Sequence, residues 1–294
     1  MRLIGAVKVG AVGFGAMPLS VEGRPEEGRA LATVHAALDA GVTLIDTADS
    51  YHWHAHETGH NERLLARALA AYGPADVLVA TKGGRGRPGD GSWTVDGDPR
   101  HLRRACEASL RRLGAEAIGL YQLHKPDPAV PFAESVGALR DLLDEGKIRM
   151  AGISNVDTGQ IRQAAAILGG RLASVQNRFS PAAPEGIGEL RLCAELGIAF
   201  LPWSPLGGIS PSALDAGTAA PGSSAAGAAV PGPGAFHEVA AERGVSPQRV
   251  CLAWHLALAP NVIPIPGATR PASIGDSAAA ADLVLTAGEL ARLP

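Results

Sequence analysis

The strongest constraint on this chain is a repeat, in which short apolar runs of strand length alternate with amphipathic runs of helix length from one end to the other. Strand-like runs begin near residues 11, 42, 76, 118, 148, 173, 198 and 262. Val42 to Ile45 are apolar or β-branched, and Asp76 to Thr81 and Ile118 to Leu123 are mostly so, without clean alternation, as strands buried on both faces require. Ala11 to Phe14, Ile148 to Ile153, Ala173 to Gln176, Ile198 to Trp203 and Val262 to Ile265 continue the series. Between the strands lie helical faces. Ala30, Leu31, Val34, Ala37 and Leu38 follow Pro25, and Leu64, Leu65, Ala68 and Leu69 follow Asn61, whose side chain is suited to an N-cap. Pro99 opens a third face through Leu102, Cys106 and Leu113, and Phe132 to Leu143, Gly159 to Leu168 and Ile187 to Leu196 complete the set.

Eight strands, most followed by a helix, predict an α/β fold: a (β/α)8 TIM barrel preceded by a short N-terminal β-hairpin that turns at Gly5. A doubly wound open sheet would need a glycine-rich turn directly between its first strand and helix. Gly84, Gly86 and Gly89 match the glycine spacing, but Pro88 interrupts them and the next helix waits until about Pro99, so they read as loop glycines. Residues 207–235 are almost wholly Gly, Ala, Ser and Pro, too poor in large apolar groups to order by burial. They predict a flexible loop at the strands' carboxyl face, able to fold over a ligand, within a single barrel domain spanning 1–294. A boundary there would sever the eighth strand.

Other classes are disfavoured. A net charge of −3 with no basic stripe argues against nucleic acid as a partner. The apolar N-terminus is broken by Arg2, Lys8 and several glycines and is too short for a bilayer, so no membrane partner is expected. Cys106, Cys193 and Cys251 lack paired spacing, which suits reduced thiols in a cytoplasmic protein. Oligomeric state is left open.

In a barrel of parallel strands the carboxyl ends converge on one face. Asp46 ends the second strand, Tyr51 follows in the same loop, Lys82 ends the third and His124 the fourth. An acid, a phenol, an amine and an imidazole at buried strand ends each cost desolvation, so their convergence calls for a chemical reason. Tyrosine is a reluctant acid at neutral pH; an adjacent Lys82 ammonium favours the phenolate and eases proton donation, Asp46 holds Lys82 charged, and His124 can orient a carbonyl oxygen. No side chain supplies a hydride, so a reduction here implies a nicotinamide cofactor.

The motifs GVTLIDTADSY with NERLLARAL, ATKGG, YQLHKPD, GKIRMAGISN, SVQNRFSP, FLPWSPLGG and IPIPGATR occur in the order in which aldo-keto reductases carry their strand-end motifs, and the chain resembles that family over nearly its whole length. The resemblance implies Tyr51 as general acid, Asp46 and Lys82 as its tuning pair and His124 as the substrate-orienting residue. It implies NADPH, in preference to NADH, bound in extended form at the barrel mouth, and a small-molecule aldehyde or ketone as substrate. Ser154, Asn155 and Gln176 would then hold the nicotinamide carboxamide and Trp203 would stack on its ring. Ser204, Leu206 and Gly207 would meet the pyrophosphate, with Gly267, Ala268, Thr269 and Arg270 at the adenosine phosphate and Asp276 near adenine. Ser273 stands where a basic residue is common and Ser277 replaces a frequent asparagine, which leaves Arg270 to supply the charge. By the same resemblance, His124 implies carbonyl rather than carbon–carbon double-bond reduction. Potassium-channel β subunits share the fold, and an NADP(H)-binding regulatory subunit with little turnover is the competing expectation.

Three further features belong to the same face. His52, His54, His56 and His60 lack a completing cysteine or acid pair and read as loop histidines, with no metal site expected. Trp53 and Trp93 are candidate walls of the substrate pocket. Lys125, beside His124, is placed to meet an anionic substrate group or solvent.

Overall fold

The computed structural model describes residues 1–210 and 234–294. A hairpin of β1 (Arg2–Ile4) and β2 (Val7–Val9) leads into a seven-stranded parallel sheet. The sheet runs β3 (Phe14–Gly15), β4 (Leu44–Asp46), β5 (Leu78–Gly83), β8 (Leu120–Leu123), β9 (Ala151–Ser154), β10 (Leu172–Gln176) and β11 (Ala199–Phe200). A second hairpin, β6 (Arg85–Gly86) with β7 (Thr94–Val95), rises from the end of β5. Outside the sheet lie α1 (Glu27–Asp39), α2 (His60–Tyr72), α3 (Pro99–Leu113), α4 (Phe132–Asp144), α5 (Thr158–Ile167) and α6 (Ile187–Leu196). After the undescribed stretch come α7 (Gly234–Arg243), α8 (Pro247–Leu258), α9 (Pro271–Ala278) and the short α10 (Ala287–Leu290).

The eighth strand position is filled, but by isolated bridges, and its sequence explains why. Ile263 and Ile265 donate their N–H groups to Phe200 and Pro202 carbonyls on one side, at 2.9 and 3.2 Å. On the other side the carbonyls of Pro264 and Pro266 accept from Gly13 and Gly15 at 2.9 and 3.0 Å. Proline has no N–H to return, so half of that ladder is missing while the seam still closes. Gly15 permits the close approach: a Cβ there would sit 2.8 Å from the Ile265 carbonyl oxygen. The result is a (β/α)8 barrel with an N-terminal hairpin, as the eightfold pattern predicts.

Strand period two sorts the side chains into layers. Ile4 and Val9 of the hairpin plug one end of the barrel interior beneath Leu44, Ala80, Leu120, Ala199, Leu201 and Ile263. Two residues further along their strands, Asp46, Lys82 and Gln122 form a polar upper layer. Residues on the opposite phase, such as Tyr121, Leu123, Ile153 and Val175, face the helices and build the main core with Val136, Leu139, Ile161 and Trp254. Cys106, Cys193 and Cys251 are free and lie in this helix-facing layer.

Several details differ from expectation. Asn61 is not the cap of α2: Gly59 occupies the N-cap in a left-handed conformation, φ +76°, and Asn61 lies buried in the first turn. Its side chain instead ties three segments together, accepting from Thr47 Oγ1 at 2.5 Å and donating to the Ala16 carbonyl at 2.9 Å and Ser20 Oγ at 2.7 Å. An amide with donors and an acceptor serves a three-way crossing better than a cap, which uses only its oxygen. The glycine-spaced stretch after β5, expected as plain loop, holds the second hairpin. Of the 207–235 loop, residues 211–233 lie outside the described residues. Among the described residues no helix is long and apolar enough to cross a membrane.

Candidate active site

At the carboxyl ends of the strands a cleft of about 720 Å³ opens. Asp46, Tyr51 and His124 border it, while Lys82 lies just beneath, 0% exposed. Lys82 Nζ donates to Asp46 Oδ1 at 2.5 Å, the Thr47 carbonyl at 2.9 Å and the Tyr51 hydroxyl oxygen at 3.0 Å. An ammonium has three hydrogens, and each has an acceptor. Asp46 is held in turn by Gln176 Nε2 at 2.8 Å and Gln122 Nε2 at 3.4 Å, both on its Oδ2. Strand periodicity placed these side chains in the barrel; the loop after β4, pinned by Asn61, brings Tyr51 back over them.

The charges follow from burial and pairing. Burial works against the Lys82 ammonium, but Asp46 and the Tyr51 oxygen outweigh it and raise its pKa above the usual value of 10.5. Tyr51, 6% exposed, is raised above 10.0 because burial opposes the phenolate, an effect that Asp46 reinforces and Lys82 only partly offsets. The expected easing by Lys82 is thus present, but burial wins, and Tyr51 stays a protonated phenol at neutral pH. Burial, then the Lys82 and Arg85 charges, push the His124 imidazole well below 6.5, so it is neutral. Its Nδ1 pairs with the Ser50 hydroxyl at 3.3 Å, and its ring meets Tyr51 edge-on with centroids 5.6 Å apart.

Ser154, Asn155, Gln176 and Trp203 also border the cleft. Ser154 Oγ donates to the Gln176 carbonyl at 2.6 Å, and Asn155 Nδ2 donates to the His124 carbonyl at 2.9 Å and Ser154 Oγ at 3.0 Å. With both amide hydrogens of Asn155 and one of Gln176 engaged, their Oδ1 and Oε1 acceptors remain. Asn155 and Ser204 have φ of +60° and +49°, the only positive values outside glycine among the described residues. Both lie on the cleft wall, where such backbone strain is associated with ligand contact. The buried indole Nε1 of Trp203 has no hydrogen-bond partner.

Further along the cleft Ser204, Leu206, Ala268, Thr269, Arg270 and Asp276 form its wall, with Gly267 at the bend. Gly207 does not reach it, being turned against Ser180. Arg270 is exposed with no acidic partner among the described residues, whereas Asp276 is held by Arg249 at 2.7 Å and by Ser246. Trp93 and Lys125 border the cleft, but Trp53 stands apart from it, stacked on His54 with centroids 5.3 Å apart. His54 stacks in turn on His56, His52 Nδ1 pairs with the His54 carbonyl at 2.7 Å, and His60 Nδ1 with Ser20 Oγ at 2.9 Å. Sequence reasoning missed Met17, Pro18 and Glu22, although their place in the loop after the first barrel strand was a usable signal, and it missed Arg85 on the second hairpin.

The profile of the Aldo/keto reductase family matches residues 11–294. An uncharacterised oxidoreductase of Schizosaccharomyces pombe is 32% identical over 99% of this chain and 87% of its own length. Among solved structures, a glycerol dehydrogenase from Gluconobacter oxydans superposes with a TM-score of 0.80 at 28% identity, covering 98% of this chain and 91% of that one. An aldo-keto reductase from Klebsiella pneumoniae in complex with NADPH gives 0.74 at 28% identity, over 97% and 89%.

Proposed function

This chain belongs to the aldo/keto reductase family and is an oxidoreductase, and on that premise we propose that it reduces an aldehyde or ketone with NADPH, Tyr51 delivering the proton. One observation carries the reading. Lys82 donates to the Tyr51 oxygen, so the hydroxyl's own hydrogen is not used internally and is available to the cleft. A substrate carbonyl oxygen there meets a neutral phenol and a neutral imidazole. The Ser50 hydroxyl, donating to Nδ1, leaves Nε2–H of His124 to orient the carbonyl. As negative charge grows on that oxygen, Tyr51 transfers its proton, and the buried Lys82 ammonium stabilises the phenolate left behind. Asp46 balances Lys82 so that the cation persists although it is fully buried.

The residues present fit the nicotinamide cofactor. The Asn155 and Gln176 acceptor oxygens match the N–H₂ of a carboxamide, the Trp203 ring offers a stacking face, and Arg270 offers a guanidinium for a terminal phosphate. Bound in this cleft, NADPH supplies the hydride that no side chain can give. The same reading takes 1–294 as one catalytic unit, because the segment beyond residue 259 completes the barrel that carries the site.

The test is Tyr51→Phe, assayed by NADPH oxidation against a panel of aldehydes. Loss of the proton donor should lower kcat by about 10²- to 10⁴-fold, while NADPH affinity, read from cofactor fluorescence, stays within about twofold. An unchanged kcat overturns the assignment. NADPH binding with no turnover of any carbonyl in the unmodified chain would favour a regulatory role instead.

A further inference from the structure

We propose that Arg85 recognises an anion in the substrate site, and that the carbonyl compounds this chain takes carry a carboxylate. The proposal rests on the reductase reading for its substrate, but the observations behind it are independent of Tyr51. Two arginines leave β5 on the second hairpin, and both pack on the Trp93 ring, with guanidinium carbons 4.3 Å (Arg85) and 4.5 Å (Arg87) from its centroid. Their surroundings differ. Arg87 is buried and neutralised, its Nη1 donating to Glu22 Oε2 at 2.8 Å and to the His52 carbonyl at 3.0 Å. Arg85 has no carboxylate or carbonyl partner among the described residues; the buried Nε of each arginine lacks an acceptor, but only Arg87 has its charge matched. It is half-buried and borders the same cleft as Tyr51 and His124.

The charges around it sharpen the contrast. Lys82 is matched by Asp46 and Arg87 by Glu22, and His124 is neutral. Lys125, on the cleft wall next to His124, also lacks an acidic partner among the described residues. The uncompensated charge beside the proton donor is therefore positive. A partly desolvated guanidinium without a counter-ion is costly, and a ligand carboxylate that pairs with it recovers that cost through a planar, two-point contact. Trp93 beneath the guanidinium plane and the hairpin pairing of Arg85 with Val95 limit its freedom, so little ordering remains to be done on binding. A neutral substrate of the same shape leaves Arg85 unpaired and covered, which discriminates against it.

Two probes of nearly the same shape test this: 4-carboxybenzaldehyde and its methyl ester, methyl 4-formylbenzoate. In the unmodified enzyme kcat/KM should favour the carboxylate by roughly tenfold or more, mainly through a lower KM, and the preference should shrink with added salt. Arg85→Gln should bring the ratio close to one, and Arg85→Lys, which keeps the charge but loses the fork, should leave it intermediate. A ratio near one in the unmodified enzyme, or a ratio that survives Arg85→Gln, overturns the proposal. So does an equal loss on both probes, which would make Arg85 only a prop for Trp93. If neither aldehyde turns over, the reductase reading is left to the wider aldehyde panel and the anion site is judged by binding. Calorimetric binding of 4-(hydroxymethyl)benzoate to the unmodified chain and to Arg85→Gln then decides the anion site: weaker binding to the variant supports it, and equal binding overturns it.

Discussion

Asp49 shows how much a single carboxyl can reveal. It lies between Asp46 and Tyr51, buried, with Oδ1 lacking any partner, and burial, reinforced by the nearby Glu62 carboxylate, pushes its pKa up to about 8. A carboxyl that is neutral in the folded chain and ionised in the unfolded one takes up a proton on folding. Its stabilising contribution is complete below the unfolded value of 3.8 and is lost as pH rises through about 8. Asp49→Asn mimics the neutral form and should remove that slope. Urea unfolding at pH 5 and pH 8 should find the variant close to the parent at the lower pH and more stable at the higher one, by roughly 2 kcal/mol or more. A parent chain that gains stability over that interval relative to the variant would contradict this. The Asp46 carboxylate, by contrast, was legible in the sequence, because Asp46, Lys82 and His124 all sit at strand ends, where periodicity alone says they converge. Asp49 and Arg85 were not. Each acquires its meaning from the absence of a partner, and a sequence lists residues but not the partners a fold withholds.

At the scale of elements, helices were easier to read than strands. The periodic face from Ile187 to Leu196 reappears with the same limits in α6, and Pro99 and Gly114 bracket α3 as opener and stop. Strands buried on both faces carry no alternation to fix their ends, and the regular ladder begins at Leu44 and Leu78, two residues past the expected starts at Val42 and Asp76. The start of α2 is the element on which the site depends most. Gly59 has φ +76°, and its Cα faces the Arg112 guanidinium so closely that any Cβ would collide with it. That guanidinium pairs at 2.5 Å with Glu62, which is wholly buried and also accepts from Thr81 Oγ1 at 2.6 Å. Gly59→Ala therefore combines left-handed strain with displacement of a buried ion pair, about 3 kcal/mol or more of stability. Gly114→Ala is the matched control. Its φ is +64°, but nothing lies within 4 Å of a Cβ there, so it should cost only about 1 kcal/mol. Equal losses in urea unfolding would show that strain alone matters and that the Arg112 approach does not.

Across the whole molecule the decisive contact joins segments far apart in sequence. Gly13 and Gly15 donate to Pro264 and Pro266, joining the first barrel strand to the last, and α1 packs on α9 outside the same seam. The cleft straddles that seam: Gly15, Met17 and Pro18 come from one side, and Ile265, Gly267 and Thr269 from the other. A barrel that opened here would split the cleft between Met17 and Gly267 while leaving the Asp46–Lys82 pair on intact neighbouring strands. The two prolines make this the thinnest part of the ladder, since each removes a donor. Closure must then rest on side-chain burial: Ile263 and Ile265 inside the barrel with Leu44, and Phe14, Ala268 and Ile274 outside it with Val34. If burial suffices, the seam opens only with the whole barrel. Amide exchange would then give Gly13, Gly15, Ile263 and Ile265 protection within about tenfold, or ~1.4 kcal/mol, of Val79 and Tyr121 in the central strands. Seam amides that exchange orders of magnitude faster, while the central strands stay protected, would show a barrel that opens along this line and a cleft whose end at residues 267–270 forms separately from Tyr51.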